Sequence, residues 1–248
     1  MELTGNTIKW VHSLGRKKVR VQDRCFAAEG TKCVLDTYGK FRVRGIFATA
    51  EWLASHPEVD GTVASRLQLD RMSNLTTASD VIAVYEMPDV RLDEVDLRSG
   101  LTIVLDGVQD PGNLGTIMRI ADWFGIYNIV CSEGTVDVYN PKVVQATMGA
   151  ISRVRVFYTS LHDLFERYAD LPVFGTFLEG ENIYNADLSE TGFIVMGNEG
   201  TGISPEVKQF ATRKLLIPSW PGDVPTSESL NVGMATAIVV SEFRRRMR

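Results

Sequence analysis

Arg119 and three glycine-rich polar loops are the parts of this 248-residue sequence whose residue types could do chemistry. The stretch LTIVLDGVQDPGNLGTIMRIADWFG, residues 101–125, opens as an apolar run and breaks into a polar segment carrying Asp106, Gly107, Pro111, Gly112, Asn113 and Gly115. It resumes with Ile117, Ile120, Ala121 and Phe124 at i, i+3, i+4, i+7 spacing. The pattern predicts a buried strand, a tight turn and a helix from about residue 116, with Arg119 about one turn into it. That places a cation near the carboxyl end of a strand, the end at which open α/β sheets bind ligands. Taken alone, the stretch also fits an ordinary strand-loop-helix unit with one solvated arginine. Two more polar loops, GNEGTGIS at 197–204 and PSWPGDVPTSESLN at 218–231, follow apolar runs at 193–196 and 215–217. If these strands share one parallel sheet, all three loops meet at the same edge and form a pocket.

Several chemistries are poorly supported. Neither GxGxxG nor GxxxxGK[ST] occurs in the right context, which argues against a standard dinucleotide or P-loop site. His12, His56 and His162 are isolated, and no GxSxG, HExxH or EF-hand pattern is present. The three cysteines, Cys25, Cys33 and Cys131, form no CxxC pair and are odd in number, so neither a disulfide framework nor a cysteine zinc site is expected. No metal is expected.

The elements that must position the loops follow from periodicity. Strands are predicted at 101–105, 128–131, 154–157, 173–177, 193–196 and 215–217. Helices fall between them at 116–124, 141–148, 161–168 and 205–211, with a long one from about 230. Such βα alternation implies an α/β fold with a mostly parallel sheet covered by helices on both faces. Asn140 and Pro141 supply a cap and a first-turn proline. Before it, residues 1–90 read as a small α/β unit, with a helix at 9–19, strands at 33–37 and 45–48, a helix from 49, and short apolar runs at 61–64 and 81–84. The charged stretch 91–100 reads as a linker, leaving 101–248 as the second domain.

With 44% hydrophobic residues, the chain can bury a substantial core. It contains no apolar run of transmembrane length and no signal-peptide pattern at MELTGNTIKW, so a cytoplasmic protein without membrane contact is expected. The net charge of −5 hides a division. Residues 1–44 hold ten Lys and Arg against four Asp and Glu, whereas residues 45–98 hold four against ten. The concentrated run GRKKVRVQDR, with Arg16, Lys17, Lys18 and Arg20, fits either a phosphate backbone or a solvated helix face. The terminal RRRMR fits a complement to the negative end of the last helix.

The three loops resemble a known family. DPGNLGTIMRIADWFG is similar to the first motif of the SpoU (TrmH-type) RNA ribose 2'-O-methyltransferases, N-x-G-x-x-x-R-x-A with a later glycine, through Asn113, Gly115, Arg119, Ala121 and Gly125. MGNEGTGIS resembles the second, G-x-E-G-x-G, through Gly197, Glu199, Gly200 and Gly202. IPSWPGDVPTSESLNVGMA resembles the third at Ile217, Pro218, Ser229, Leu230, Asn231, Val232 and Ala235. The resemblance covers residue 101 to the C-terminus. More weakly, residues 1–90 resemble a substrate-binding domain related to ribosomal RNA-binding proteins.

The resemblance implies the SPOUT fold with a C-terminal trefoil knot, a homodimer, and transfer of a methyl group from S-adenosylmethionine to a ribose 2'-hydroxyl, leaving S-adenosylhomocysteine. It implies catalytic roles for Arg119, Asn113, Glu199, Ser229 and Asn231. Gly197, Ile217 and Leu230 are the implied cofactor contacts, joined by Thr176, Leu178, Asn198 and Gly200. Ribosomal RNA is the implied substrate ahead of transfer RNA, with Arg16, Lys17, Lys18 and Arg20 as candidate RNA contacts. Two departures stand out: a longer third loop, 219–228, containing Trp220, Pro221 and Pro225, and Gly233 where a serine is common. A binding protein of the same fold with little catalysis, and a doubly wound nucleotide enzyme, are the alternatives.

Overall fold

The computed structural model describes residues 2–222 and 227–247. Pro225 of the lengthened third loop lies outside the described residues. In chain order the elements are α1 (Gly5–Ser13), α2 (Lys17–Asp23), β1 (Cys25–Glu29), α3 (Thr31–Thr37), β2 (Val43–Ala48), α4 (Ala50–Ser55), β3 (Thr62–Val63), α5 (Arg66–Met72) and β4 (Val81–Glu86). They continue with β5 (Leu101–Asp106), α6 (Pro111–Trp123), β6 (Asn128–Cys131), α7 (Pro141–Ala146), β7 (Arg155–Tyr158), α8 (Leu161–Arg167), β8 (Val173–Asn182), β9 (Gly192–Gly197), α9 (Pro205–Lys208), β10 (Arg213–Leu216) and α10 (Val232–Arg246). Among the described residues, no helix is long and apolar enough to cross a membrane.

The chain divides into two compact units, one built from residues 1–90 with 137–153, the other from 91–136 with 154–248. The first holds a four-stranded sheet in the order β1-β4-β2-β3, antiparallel except for the β2–β3 pair. Residues 33–37, expected as a strand, are helix α3. Cys33, Val34 and Thr37 are its buried positions, a spacing that closes on one helical face, and an apolar run this short does not distinguish strand from helix by itself. The expected helix at 9–19 is two helices, α1 and α2, separated at 14–16. Strand β1 and helix α5 were not expected.

Segment 137–153 packs with this first unit rather than with the second, and a buried arginine holds it there. Arg20 is 2% exposed and donates to the carbonyls of Leu14 and Gly15 at 2.7 and 2.8 Å. Its remaining terminal nitrogen bonds the Asp137 carboxylate. Arg20 therefore holds structure rather than RNA, correcting the expectation from the basic run, because its guanidinium is buried out of reach of a phosphate. Arg16, Lys17 and Lys18 of the same run are exposed.

The second unit contains a six-stranded sheet in the order β10-β8-β9-β5-β6-β7, parallel throughout. Side chains alternate across it. Val104, Val130, Val173, Phe193 and Val195 pack with Leu161, Leu164 and Phe165 of α8 and Val207 of α9. Their neighbours in sequence point to the opposite face, where Phe174 meets Phe243 of α10 edge-on at 5.0 Å, and α6 packs along α10. Residues 91–100, expected as a linker, place Val95 and Leu97 in the α8 side of this core.

The terminal arginines do more than complement their own helix. Arg244 donates to the carbonyls of Phe124 and Gly125 at 2.8 and 3.1 Å, satisfying the open end of α6. Arg246 bonds the carbonyls of Ile183, Tyr184 and Ala186. Both Arg245 and Arg246 also bond Glu242, whose carboxylate is buried and held down at about 2, first by the Arg245 hydrogen bonds and then by those of Arg246. A carboxyl whose native pKa is depressed adds stability above its unfolded pKa and loses it as the pH falls through the native one. Stability should therefore fall between pH 4.5 and about 2 through this group. Denaturant titrations across that interval should show a shallower slope in Glu242→Gln than in the unaltered chain; equal slopes would contradict this assignment.

Candidate active site

The parallel order creates a crevice. From β5 the chain runs outward through β6 to β7, whereas from β9, its neighbour on the other side, the chain continues to β10 beyond β8. The connections after two adjacent parallel strands thus diverge, the arrangement at whose carboxyl edge α/β sheets bind ligands. Each of the three polar loops begins at that edge.

The first loop is shorter than its sequence suggests. Asp110 caps α6 by accepting from the Asn113 N–H at 2.8 Å, and Pro111 occupies the first helical position. Asn113 and Gly115 therefore belong to the helix, and Arg119 lies about two turns in, not one. The Asp-Pro pair at 110–111 is the signal that could have located this start.

Hydrogen bonds join the loops. The Asn113 Nδ2 donates to Glu199 Oε1 at 2.9 Å, and Asn231 Nδ2 donates to Asn113 Oδ1 at 2.9 Å. Glu199 also accepts from the backbone N–H groups of Gln109 and Asp110 at 3.4 Å. Burial pushes the Glu199 carboxyl up, but the hydrogen bonds from Asn113 and from the surrounding backbone outweigh it, so it lies below its ordinary value and is ionised at neutral pH. Asn231 in turn caps α10, accepting from the N–H groups of Gly233 and Met234 at 2.9 and 3.3 Å. One asparagine thereby sets the start of a helix and the orientation of a second asparagine.

Two residues outside the expected set support the crevice. Asp106, last in β5, accepts from the Ser204 N–H at 2.8 Å, and the Gly107 carbonyl accepts from Asn198 Nδ2 at 2.7 Å. Asn198 Oδ1 accepts from the N–H groups of Gly200 and Thr201 at 2.8 and 3.0 Å, while its backbone pairs with Gly202 in both directions. The loop closes on itself tightly. A Cβ at Gly197 would stand 2.2 to 2.6 Å from backbone atoms of Gly202 and Ile203, so only glycine fits there.

Of the other expected residues, Thr176 donates its hydroxyl to the Val195 carbonyl at 3.0 Å. It begins a five-residue excursion, 176–180, across which β10 changes partners on β8 from Gly175 to Glu181. Leu178 on that excursion is 71% exposed and Leu230 is 49% exposed, while Ile217 is half-buried just after β10. Ser229 is exposed. Arg119 is exposed and makes no hydrogen bond or ion pair among the described residues. The structure joins Asn113, Glu199 and Asn231 directly, and leaves Arg119 and Ser229 unattached to them. Gly233 has a steric reason: a Cβ there would lie 3.1 Å from Thr116 Cγ2 and 3.2 Å from Asn231 Oδ1, so its absence lets the N-terminal turns of α6 and α10 approach.

Comparison with known proteins places these features in context. The model of the SpoU rRNA Methylase family matches residues 100–241. The chain is 29% identical over 238 residues to the 23S rRNA (guanosine(2553)-2'-O)-methyltransferase RlmP of Bacillus subtilis, covering 93% of each chain. A protein from Porphyromonas gingivalis assigned to the TrmH family of RNA methyltransferases has a solved structure that superposes with a TM-score of 0.87 at 41% identity, covering 99% of this chain and 100% of that one. An AdoMet-bound rRNA methyltransferase from Sinorhizobium meliloti superposes with a TM-score of 0.85 at 28% identity, covering 100% and 97%.

Proposed function

The chain belongs to the SpoU rRNA methylase family, and on that premise we propose that it transfers a methyl group from S-adenosylmethionine to a ribose 2'-hydroxyl of RNA, ribosomal RNA ahead of transfer RNA. The observation that carries this reading is the hydrogen-bonded set Asn113, Glu199 and Asn231 at the switch point, with Arg119 free on the helix that supplies Asn113. An unpaired guanidinium on the helix that carries this polar set suits an anionic polymer.

The crevice also suits the cofactor. Leu178, Leu230 and Ile217 offer apolar surface for an adenine, the 197–203 loop offers backbone groups, and ionised Glu199 favours a cation nearby. Gly197, Asn198, Gly200, Thr176, Leu178, Ile217 and Leu230 are the residues assigned to hold it. When bound, S-adenosylmethionine supplies an electrophilic methyl group on a sulfonium. A guanidinium is a donor and not a base, so the part of Arg119 is to fix a phosphate next to the target ribose and polarise the hydroxyl rather than to take its proton. Asn113 and Asn231, each able to donate and accept, orient the nucleophile, with Glu199 holding Asn113 in place and Ser229 contributing a hydroxyl. Positioning of this kind accounts for much of the acceleration in a simple displacement.

The exposed Arg16, Lys17 and Lys18 are assigned to the RNA backbone, within residues 1–90 as the substrate-binding domain. The trefoil knot, a homodimer and a cytoplasmic setting complete the reading.

Gly197→Ala should weaken S-adenosylmethionine binding at least tenfold in a calorimetric titration, because the added methyl drives the 197–203 loop apart; unchanged affinity would remove that loop from the site. The reaction itself is tested by incubating the protein with methyl-labelled S-adenosylmethionine and separate pools of unmethylated ribosomal and transfer RNA. Label is expected in the ribosomal pool. Label confined to transfer RNA would overturn the substrate assignment, and label in neither pool would overturn the activity.

A further inference from the structure

A second polar groove lies in the first unit, remote in sequence from every motif of the active site. It has a volume of about 520 Å³ and is lined by Asn6, Thr7, Trp10, Asp23 and Arg44. Asn6, Thr7 and Trp10 share one face of α1 by their spacing. Trp10 is half-buried against the first unit's core, and its indole N–H donates to Asp23 Oδ2 at 2.7 Å, which fixes the ring.

Arg44 is placed there by a β-bulge. Val43 pairs with Tyr85 and Gly45 with Val84, so Arg44 is an extra residue in β2. Bulges of this kind redirect a side chain and are features a strand does not need for its own pairing. Arg44 and Arg42 both reach Glu86, at 3.2 and 3.4 Å, and are 48% and 80% exposed. Two guanidinium groups share the Glu86 carboxylate and Asp23 lines the groove as well, so the charges balance, and Arg44 brings a half-exposed cation beside an immobilised aromatic ring. That pairing of a stacking surface with a cation is how proteins hold unpaired nucleotides.

We propose that this groove binds an unpaired nucleotide of the RNA substrate, the base against Trp10 and the phosphate on Arg44. The inference rests on the reading that the substrate is RNA. Asp23, which positions the indole, also leaves carboxylate oxygen available to accept from a base edge, giving the groove a means of preferring one base.

The test measures binding of an unmodified 23S ribosomal RNA transcript by the unaltered chain, Arg44→Ala and Asn6→Glu. Both positions are exposed, and a carboxylate in the first turn of α1 suits the helix dipole, so both variants should fold. Each should bind the transcript about tenfold more weakly while binding S-adenosylmethionine as before. Arg44→Ala should also lower the slope of log affinity against log salt by about one. RNA affinity and salt slope unchanged in both variants would overturn the groove while leaving the proposed function standing. An unaltered chain that binds S-adenosylmethionine but no RNA would overturn the proposed function and this inference with it.

Discussion

Arg119→Ala is expected to lower kcat for RNA methylation by about a hundred- to a thousandfold, the usual effect of deleting one positioned charge that stabilises a transition state. Little else should change. Arg119 is exposed, bonds nothing among the described residues and takes no part in the Asn113–Glu199–Asn231 set, so melting temperature and S-adenosylmethionine affinity should match those of the unaltered chain. Arg119→Lys separates charge from geometry. A lysine keeps the charge but loses the planar fork that grips a phosphate with two bonds, and should recover only a small part of the rate. Steady-state kinetics with saturating cofactor read the effect. A variant with unchanged kcat would show that the free guanidinium is a surface group only.

The second large effect is on stability. Arg20→Ala should destabilise the first unit by about 3–5 kcal/mol, the cost of stranding one member of a buried ion pair. Asp137 would keep the Tyr139 N–H, at 3.1 Å, but lose its cation, and the carbonyls of Leu14 and Gly15 would lose their donor. Because Asp137 begins segment 137–153 of that unit, release of the segment should accompany the loss, visible as earlier hydrogen exchange at α7. Replacing the pair together, Arg20→Met with Asp137→Asn, should recover part of the stability, since it removes the uncompensated charge. Denaturant unfolding measures both. A loss below about 1 kcal/mol for Arg20→Ala would mean that other contacts hold the segment.

These two arginines show what could and could not be read in the sequence. Arg119 was legible because its surroundings are local: an apolar run, a polar turn and a helical repeat lie within 25 residues, and the same logic located the strands of the parallel sheet. Arg20 misled because it stands in a run of exposed cations, while the partner that buries it is 117 residues away. No periodicity encodes such a pair. Segment 33–37 and strand β1 failed for a related reason. Both are short, and tertiary burial rather than local pattern decides their state. The active-site loops were correctly placed at one edge, but the bonds joining Asn113, Glu199 and Asn231 depend on which strands are neighbours, and the strand order was not available from the sequence. Arg244 and Arg246 likewise gain their roles from carbonyls at 124–125 and 183–186 that only the folded chain brings near.

In the proposed function the crevice between β5 and β9 directs a methyl group to a ribose oxygen. The most direct measurement is alkaline digestion of ribosomal RNA labelled by this protein from methyl-labelled S-adenosylmethionine. A methyl group on the 2'-oxygen removes the nucleophile that alkali uses to cleave the adjoining phosphodiester. Label should therefore be recovered in alkali-stable dinucleotides, and should disappear when Arg119→Ala replaces the unaltered chain. Label recovered in mononucleotides, on a base, would overturn ribose methylation by this site.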